Sequence, residues 1–338
     1  MQFIFTADTH FSSAFGAENS QIRNGELIAC FKEIINYAKE NSIKLIVLGG
    51  DLFDTPYPLP EIKAAVKNII QSNSDIQFIG ICGNHDPIYK TDFYSSLPSN
   101  FYLFPEKITE FRFQDITFYG VSEQSFDQNT DKWKDFHADG KFITLSHGDL
   151  QPAIFADTGA SLCLFGHIHK TQTHVLSNGV KALYCGCPAG RGFDECEQKG
   201  FYVVDSESLS FEFIKTSAKI YKEYELDISD TENINELISV LEGIEVCQSE
   251  IARAVLTGKV KKPYTIDCER LCGLMPQFTE IKDKTEVDVD ILENINKNTL
   301  EGEFVRILIA KHEAEKDETE KQKILDAIKK GIIALRRK

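Results

Sequence analysis

Five short motifs rich in Asp, His and Asn hold the residues of this chain best suited to chemistry. They are Asp8-Thr9-His10, Gly49-Gly50-Asp51-Leu52-Phe53-Asp54, Gly83-Asn84-His85-Asp86, Ser146-His147-Gly148-Asp149 and Gly166-His167-Ile168-His169. Each follows a hydrophobic run, so each is expected at a loop tip where a strand ends. Carboxylate, imidazole and amide ligands in this mixture suit Mn2+, Fe2+ or Zn2+. A carboxylate shared by two cations holds them about 3.5–4 Å apart, the span that grips a phosphoryl group. Asp51, placed after two glycines that let the backbone turn sharply, is the candidate bridge, and Asn84 offers a neutral amide oxygen. Strand alternation would point Asp8 and His10 the same way, and likewise His167 and His169. The chemistry implied is phosphate-ester hydrolysis at a two-metal site.

Taken singly, each motif is weak, because a lone histidine is more often a hydrogen-bonded core or surface residue. The ordered set of five, each behind a strand, selects the metal reading. His137, His174 and His312 lack that context and are read as ordinary.

The elements that must carry these motifs alternate at first. Phe3–Ala7, Ile43–Leu48 and Ile76–Cys82 read as buried strands. Glu26–Lys39 and Pro60–Gln71 repeat apolar residues at helical spacing, with Pro60 near a first turn. That β-α-β-α-β order predicts parallel strands covered by helices, with the site at their carboxyl ends. Further strand-like segments follow up to Gly200–Val204, with a tight hairpin predicted at Ser177-Asn178-Gly179. They predict a second, more antiparallel sheet packed on the first. The fold class expected is therefore α/β, a two-sheet β-sandwich core flanked by helices in αββα layers.

After about Ile220 a small α+β domain is expected. Ser229-Asp230-Thr231-Glu232 has the pattern of a capping box opening a helix through Leu241. Two apolar stripes, one on Leu300, Phe304, Ile307 and Leu308 and one on Ile324, Leu325, Ile328, Ile332 and Leu335, predict a C-terminal helical pair. The boundaries drawn are 1–217, 218–299 and 300–338.

The chain of 338 residues has 42% hydrophobic content, enough for a sizeable core, and no apolar run approaches the ~18–20 residues of a membrane span. With no signal peptide evident, a cytoplasmic protein that does not engage membranes is expected. Nine cysteines are read as reduced and mostly buried; Cys185, Cys187 and Cys196, or Cys268 with Cys272, lack paired zinc-site spacing. A net charge of −15 argues against unspecific adhesion to nucleic acid. Charge is uneven: Phe304 to Lys338 holds ten Lys/Arg against six Asp/Glu. Lys329, Lys330, Arg336, Arg337 and Lys338 are candidate phosphate contacts.

The five motifs resemble those of the calcineurin-like metallophosphoesterases over about residues 1–215. The resemblance implies one metal on Asp8, His10, Asp51 and His169, and another on Asp51, Asn84, His147 and His167. It implies that His85 is no ligand but protonates the leaving oxygen, with Asp54 placed to orient His85 or the phosphate. The N-terminal Asp-Thr-His, the Gly-Asp-Leu-Phe-Asp motif and Gly-His-Ile-His are similar to the DNA-repair exonuclease branch, the SbcD-like and YhaO-like nuclease subunits. So are the segment Gly186–Glu195 and the pair Arg23 and Glu26, which makes Arg23 and Arg191 candidate DNA-binding residues. That branch implies a nuclease domain over 1–217, a capping domain, and a helical pair that docks on an SMC-like coiled-coil ATPase. It implies Mn2+ (Fe2+, Zn2+ and Mg2+ being alternatives), a 3′-to-5′ exonuclease with single-strand endonuclease activity, and possible homodimers. A free-standing phosphodiesterase or phosphatase would use the same site. The loop Phe11-Ser12-Ser13 and the short cap depart from the branch.

Overall fold

The computed structural model describes the chain except residues 16–19, 123–128, 150–151, 261–265, 288–294, 297 and 337–338; Arg337 and Lys338 of the basic tail thus lie outside the described residues. The chain divides into two compact units, Met1–Tyr221 and Lys222–Lys338.

The first unit is built on two six-stranded sheets. The strands are β1 (Gln2–Thr6), β2 (Leu45–Leu48), β3 (Gln77–Gly80), β4 (Phe101–Leu103), β5 (Thr109–Phe113), β6 (Ile116–Gly120), β7 (Phe142–His147), β8 (Leu162–Gly166), β9 (Gln172–Val175), β10 (Lys181–Tyr184), β11 (Gly200–Asp205) and β12 (Phe211–Lys215). One sheet has the order β12-β11-β1-β2-β3-β4 and the other β5-β6-β7-β8-β10-β9. Helices α1 (Ser20–Glu40) and α2 (Pro60–Ser72) join β1 to β2 and β2 to β3, and those strands pair in parallel.

Side-chain alternation explains the layering. Along β1, Ile4 faces the helices with Phe31, Ile34, Val66 and Ile70, while Phe3 and Phe5 face the second sheet with Ile143, Leu145 and Leu164. Strands buried on both faces read as continuous apolar runs, as β2 does, with four buried residues in a row. The outer face of the second sheet buries Phe142, Cys163, Phe165 and Tyr184 against Trp133 of α3 (Asn129–Lys134) and Phe155. This is the αββα arrangement.

The second sheet corrects one expectation. Its centre is parallel, β6 to β7, β7 to β8 and β8 to β10, with antiparallel pairs only at its two edges. Between β7 and β8 the described helix is only the 3₁₀ turn Pro152–Asp157, too short to show an apolar period. The hairpin at Gly179, with φ of +83°, is present between β9 and β10.

In the second unit a three-stranded sheet, β13 (Ile220–Asp227), β14 (Glu250–Thr257) and β16 (Phe278–Asp283), packs with α4 (Ile234–Glu242) and α5 (Cys268–Leu274). A short parallel pair joins β15 (Lys259–Val260) to β17 (Glu286–Val287). Helix α4 starts later than its capping pattern suggests. Asn233 is its N-cap, accepting from Asn235 and Glu236 N–H, and Glu236 reaches back to Glu232 N–H. Ser229 instead bonds Asp227 and accepts from Lys259 N–H, so it belongs to a turn. Helices α6 (Leu300–Ala314) and α7 (Glu318–Arg336) pack on each other through Val305, Ile328 and Ile332. No helix of the described residues is long and apolar enough to cross a membrane.

Candidate metal centre

The five motifs converge beyond the carboxyl ends of β1, β2, β3, β7 and β8, but not by strand alternation. β1 ends at Thr6, and Asp8 and His10 stand in left-handed backbone with φ of +55° and +47°. Asp51 (+49°) and His167 (+95°) do the same. Non-glycine residues reach this region only at a cost, typically paid at functional sites. Convergence is therefore made by strained turns, which corrects the i, i+2 argument.

The loops are bound to one another through their backbones. Asp8 N–H donates to Gly50 O at 3.1 Å, and His10 N–H to Asp51 O at 3.0 Å. Both carboxylate oxygens of Asp8 accept from His167 N–H, and Asp51 Oδ1 accepts from His85 N–H at 2.9 Å. Close approach demands the glycines. A Cβ on Gly83 would collide with the Asp51 carboxylate, and one on Gly50 with the His147 ring.

Among the described residues two donor groups match the expected pair of cations, and a third joins His10, Asp51 and His85. Ligand atoms of Asp8, His10 and His169 lie within 4.8 Å of one another, and so do those of Asp51, His147 and His167. Asp51 Oδ2 belongs to both sides, 3.2 Å from His147 Nε2 and 3.7 Å from His10 Nε2. Asn84 Oδ1 stands 3.1 Å from both His147 Nε2 and His167 Nδ1. The candidate ligands His10, His147, Asp8 and Asp51 have buried side chains, whereas His85 is 43% exposed and marks the open edge.

The orienting partners show that cations fit. His169 Nδ1 lies 2.7 Å from Glu195 Oε1, closer than to Arg191 Nη2 at 3.2 Å, so Nδ1 carries the proton. His10 Nδ1 lies 3.0 Å from Asp54 Oδ1, at an angle short of a hydrogen bond, and the carboxylate favours a proton on that nitrogen too. Burial lowers the His10 pKa to about 4, so its ring is neutral. His10 Nε2 and His169 Nε2 face each other at 3.0 Å, and a cation held by both would take the place of any proton between them. On the other side His147 Nδ1 donates to Gly49 O at 2.8 Å. Burial opposes charge on His147, but the Asp51 and Asp8 carboxylates prevail and raise its pKa to about 10. A proton is thus held where positive charge is wanted. Burial raises Asp8 to about 6, while Asp51, despite burial, is held below the usual carboxylate range by His147.

Three residues have roles that motif reading did not assign. Glu195, 5% exposed, orients His169 and accepts from Arg191 N–H; burial would raise its pKa, but His169 and Arg191 hold it low. Arg191 donates to Asp54 Oδ1 at 2.5 Å and to Glu195 Oε1 at 3.3 Å, clamping both orienting carboxylates. Asp86 is fully buried and accepts from Gly83 N–H, Phe53 N–H and Tyr94 O–H, tying two loops together. Arg23 bonds Glu26 and Gly190 O, so it too has internal partners. The Asp54 carbonyl, not its carboxylate, is the closer partner of His85 Nδ1, at 2.9 Å against 3.7 Å. Of the cysteines, only Cys187 joins a potential ligand group among the described residues, with His169 and Glu195.

Residues 1–171 match the model of the calcineurin-like phosphoesterase family. The chain belongs to that family. Calcineurin-like phosphoesterases are metal-dependent hydrolases that bind two divalent metal ions. Over 88 residues, 25% of its length, this phosphoesterase is 32% identical to the DNA double-strand break repair protein Mre11 of Methanosarcina acetivorans. The Mre11 of Methanosarcina mazei is 30% identical over the same length. These matches cover 14% of the relatives' own lengths. Among solved structures, TT1561 of Thermus thermophilus aligns with a TM-score of 0.40 at 12% identity, over 63% of this chain and 98% of that one. A dimetal phosphatase from Danio rerio aligns with a TM-score of 0.42 at 11% identity, over 60% and 91%.

Proposed function

We propose that this phosphoesterase is a DNA nuclease, the catalytic subunit of an SbcCD-like nuclease–ATPase complex in double-strand-break repair. The observation that carries the phosphodiesterase chemistry is Asp51 Oδ2, placed between His10 Nε2 and His147 Nε2 with His85 at the open edge. The matches to Mre11 support DNA as the substrate. Asp8, His10, Asp51 and His169 would hold one cation, and Asp51, Asn84, His147 and His167 the other, with Mn2+ the metal. When bound, the pair supplies Lewis-acid charge for the phosphoryl oxygens.

The chain's own residues do the rest. His85 Nδ1–H donates to the Asp54 carbonyl, an acceptor only, so the proton on Nδ1 is fixed and Nε2 is left to exchange one with the leaving oxygen. Asp54 and Glu195 hold His10 and His169 in one tautomer. In this reading α6 and α7 dock on a coiled-coil ATPase, and Leu300 and Ile307, 74% and 52% exposed, are apolar surface available to it.

Cleavage of linear duplex and single-stranded DNA with Mn2+, run with and without a coiled-coil ATPase partner, tests this. Hydrolysis of bis-p-nitrophenyl phosphate without any DNA cleavage would shift the assignment to a small-molecule or protein phosphoester. Deleting Leu300–Lys338 should abolish ATPase binding and spare small-ester hydrolysis.

A further inference from the structure

Tyr57 and Tyr89 are the only exposed aromatic side chains among the described residues, at 78% and 74%. Every other described Phe, Tyr or Trp is buried or half-buried, so these two differ from the rest in the ring surface they show. Both lie in loops that build the open edge of the metal centre. Tyr57 is three residues beyond Asp54, and Tyr89 is four beyond His85. At about 3.3–3.6 Å per extended residue, their Cα atoms are no more than about 11 Å and about 14 Å from those two residues.

The loops leave the site side by side. His85 Nδ1 donates to Asp54 O at 2.9 Å, and Phe53 N–H to Asp86 Oδ2 at 3.1 Å. The first loop is pinned again further out, where Leu59 N–H donates to Ser12 Oγ at 2.9 Å. His85 leaves this side open, its side chain 43% exposed where those of His10 and His147 are fully buried. The arginines nearest the centre offer little to a phosphate: Arg191 is held by Asp54 and Glu195, and Arg23 by Glu26. Beside the exposed Lys90, which could meet a phosphate, the two tyrosines offer aromatic faces, and every nucleobase has a π-face to lay on one.

We propose that Tyr57 and Tyr89 form a base-stacking subsite, which holds the nucleobases flanking the phosphodiester beside His85. The proposal rests on the nuclease reading for its substrate and adds how the strand is held. Stacking selects unpaired bases over paired ones and does not read sequence. The ligand class is therefore a single-stranded or frayed nucleic-acid end.

The test is equilibrium binding to the full, Mn2+-loaded chain by calorimetry, comparing dAMP with 2-deoxyribose 5-phosphate, which lacks the base. The wild type should prefer dAMP by about five- to 150-fold per stacked ring. The double variant Tyr57→Ala/Tyr89→Ala should lose that preference, and Tyr57→Trp/Tyr89→Trp should keep it. Equal affinity for both ligands in the wild type, or an unchanged ratio in the double alanine variant, would overturn the subsite. A base preference lost in the alanine variant, in a chain that leaves single-stranded DNA uncut, would uphold the subsite and remove the nuclease reading instead.

Discussion

Replacing Arg191 with Met should weaken one metal and spare the other. The guanidinium sits between Asp54 Oδ1 at 2.5 Å and Glu195 Oε1 at 3.3 Å, with the three side chains 19%, 23% and 6% exposed. Breaking a buried ion pair from one side costs about 3–5 kcal/mol. Asp54 is exposed enough for water to screen its share, which brings the expected loss of stability to about 2–3 kcal/mol. The sharper consequence concerns metal affinity. Asp54 and Glu195 each hold a Nδ1, of His10 and of His169, and partners of that kind are worth about 10–100-fold in metal affinity. His147 is oriented by the Gly49 carbonyl, which Arg191 does not touch. Calorimetric titration of the Arg191→Met chain with Mn2+ should therefore show one binding event weakened by about 10–100-fold and a second near its wild-type affinity. Equal weakening of both events, or no change in either, would show that the clamp does not orient the His10–His169 side.

Three further outcomes are expected. His85→Ala should lower kcat on a phosphodiester by about 10²–10⁴-fold while metal analysis still finds two ions per chain; a variant that loses metal would make His85 a ligand. In EDTA, the melting temperature should fall as pH rises from about 6.5 to about 9. The folded chain raises Asp8 to about 6, Asp86 to about 7 and His147 to about 10; a raised pKa stabilises fully only below the unfolded value, and that stability is lost as pH climbs through the folded one. Asp51 and Glu195, both lowered, act in the opposite sense below about pH 4–5, and His10 and His167, lowered by burial, do so below about pH 6.5. Metal replaces protons at these groups, so its stabilising increment should grow over the same window; a metal-free melting temperature that rises with pH would contradict this. Gly83→Ala should drop the Mn2+ stoichiometry below two by displacing the Asp51 carboxylate, whereas Gly25→Ala, where a Cβ meets open space, should leave it at two.

What the sequence disclosed follows from how local each signal is. The central strands of the two sheets are largely apolar runs; Asp8, Asp51, Asn84 and His167 come just after one and His147 closes another, so their order could be read without coordinates. Glu195 is 26 residues from the ring it orients, and no spacing rule links them. Arg191 carries the charge of a phosphate contact, and only its neighbours show that it is paired internally. The parallel centre of the second sheet was hidden because its short described helical segments lack the repeat that betrays a crossover. Asn233 and Glu236 duplicate the pattern at Ser229 and Glu232 four residues on, and propensity alone does not choose between them.

The left-handed turns at Asp8, His10, Asp51 and His167 set a condition on anyone who would transplant this constellation. Seven side chains copied onto the tips of ideal strands would preserve spacing and lose aim, because direction here comes from backbone that regular strands do not visit. A working graft would have to carry whole loops with their glycines and their hydrogen bonds to one another, and a host rigid enough to keep them twisted while empty.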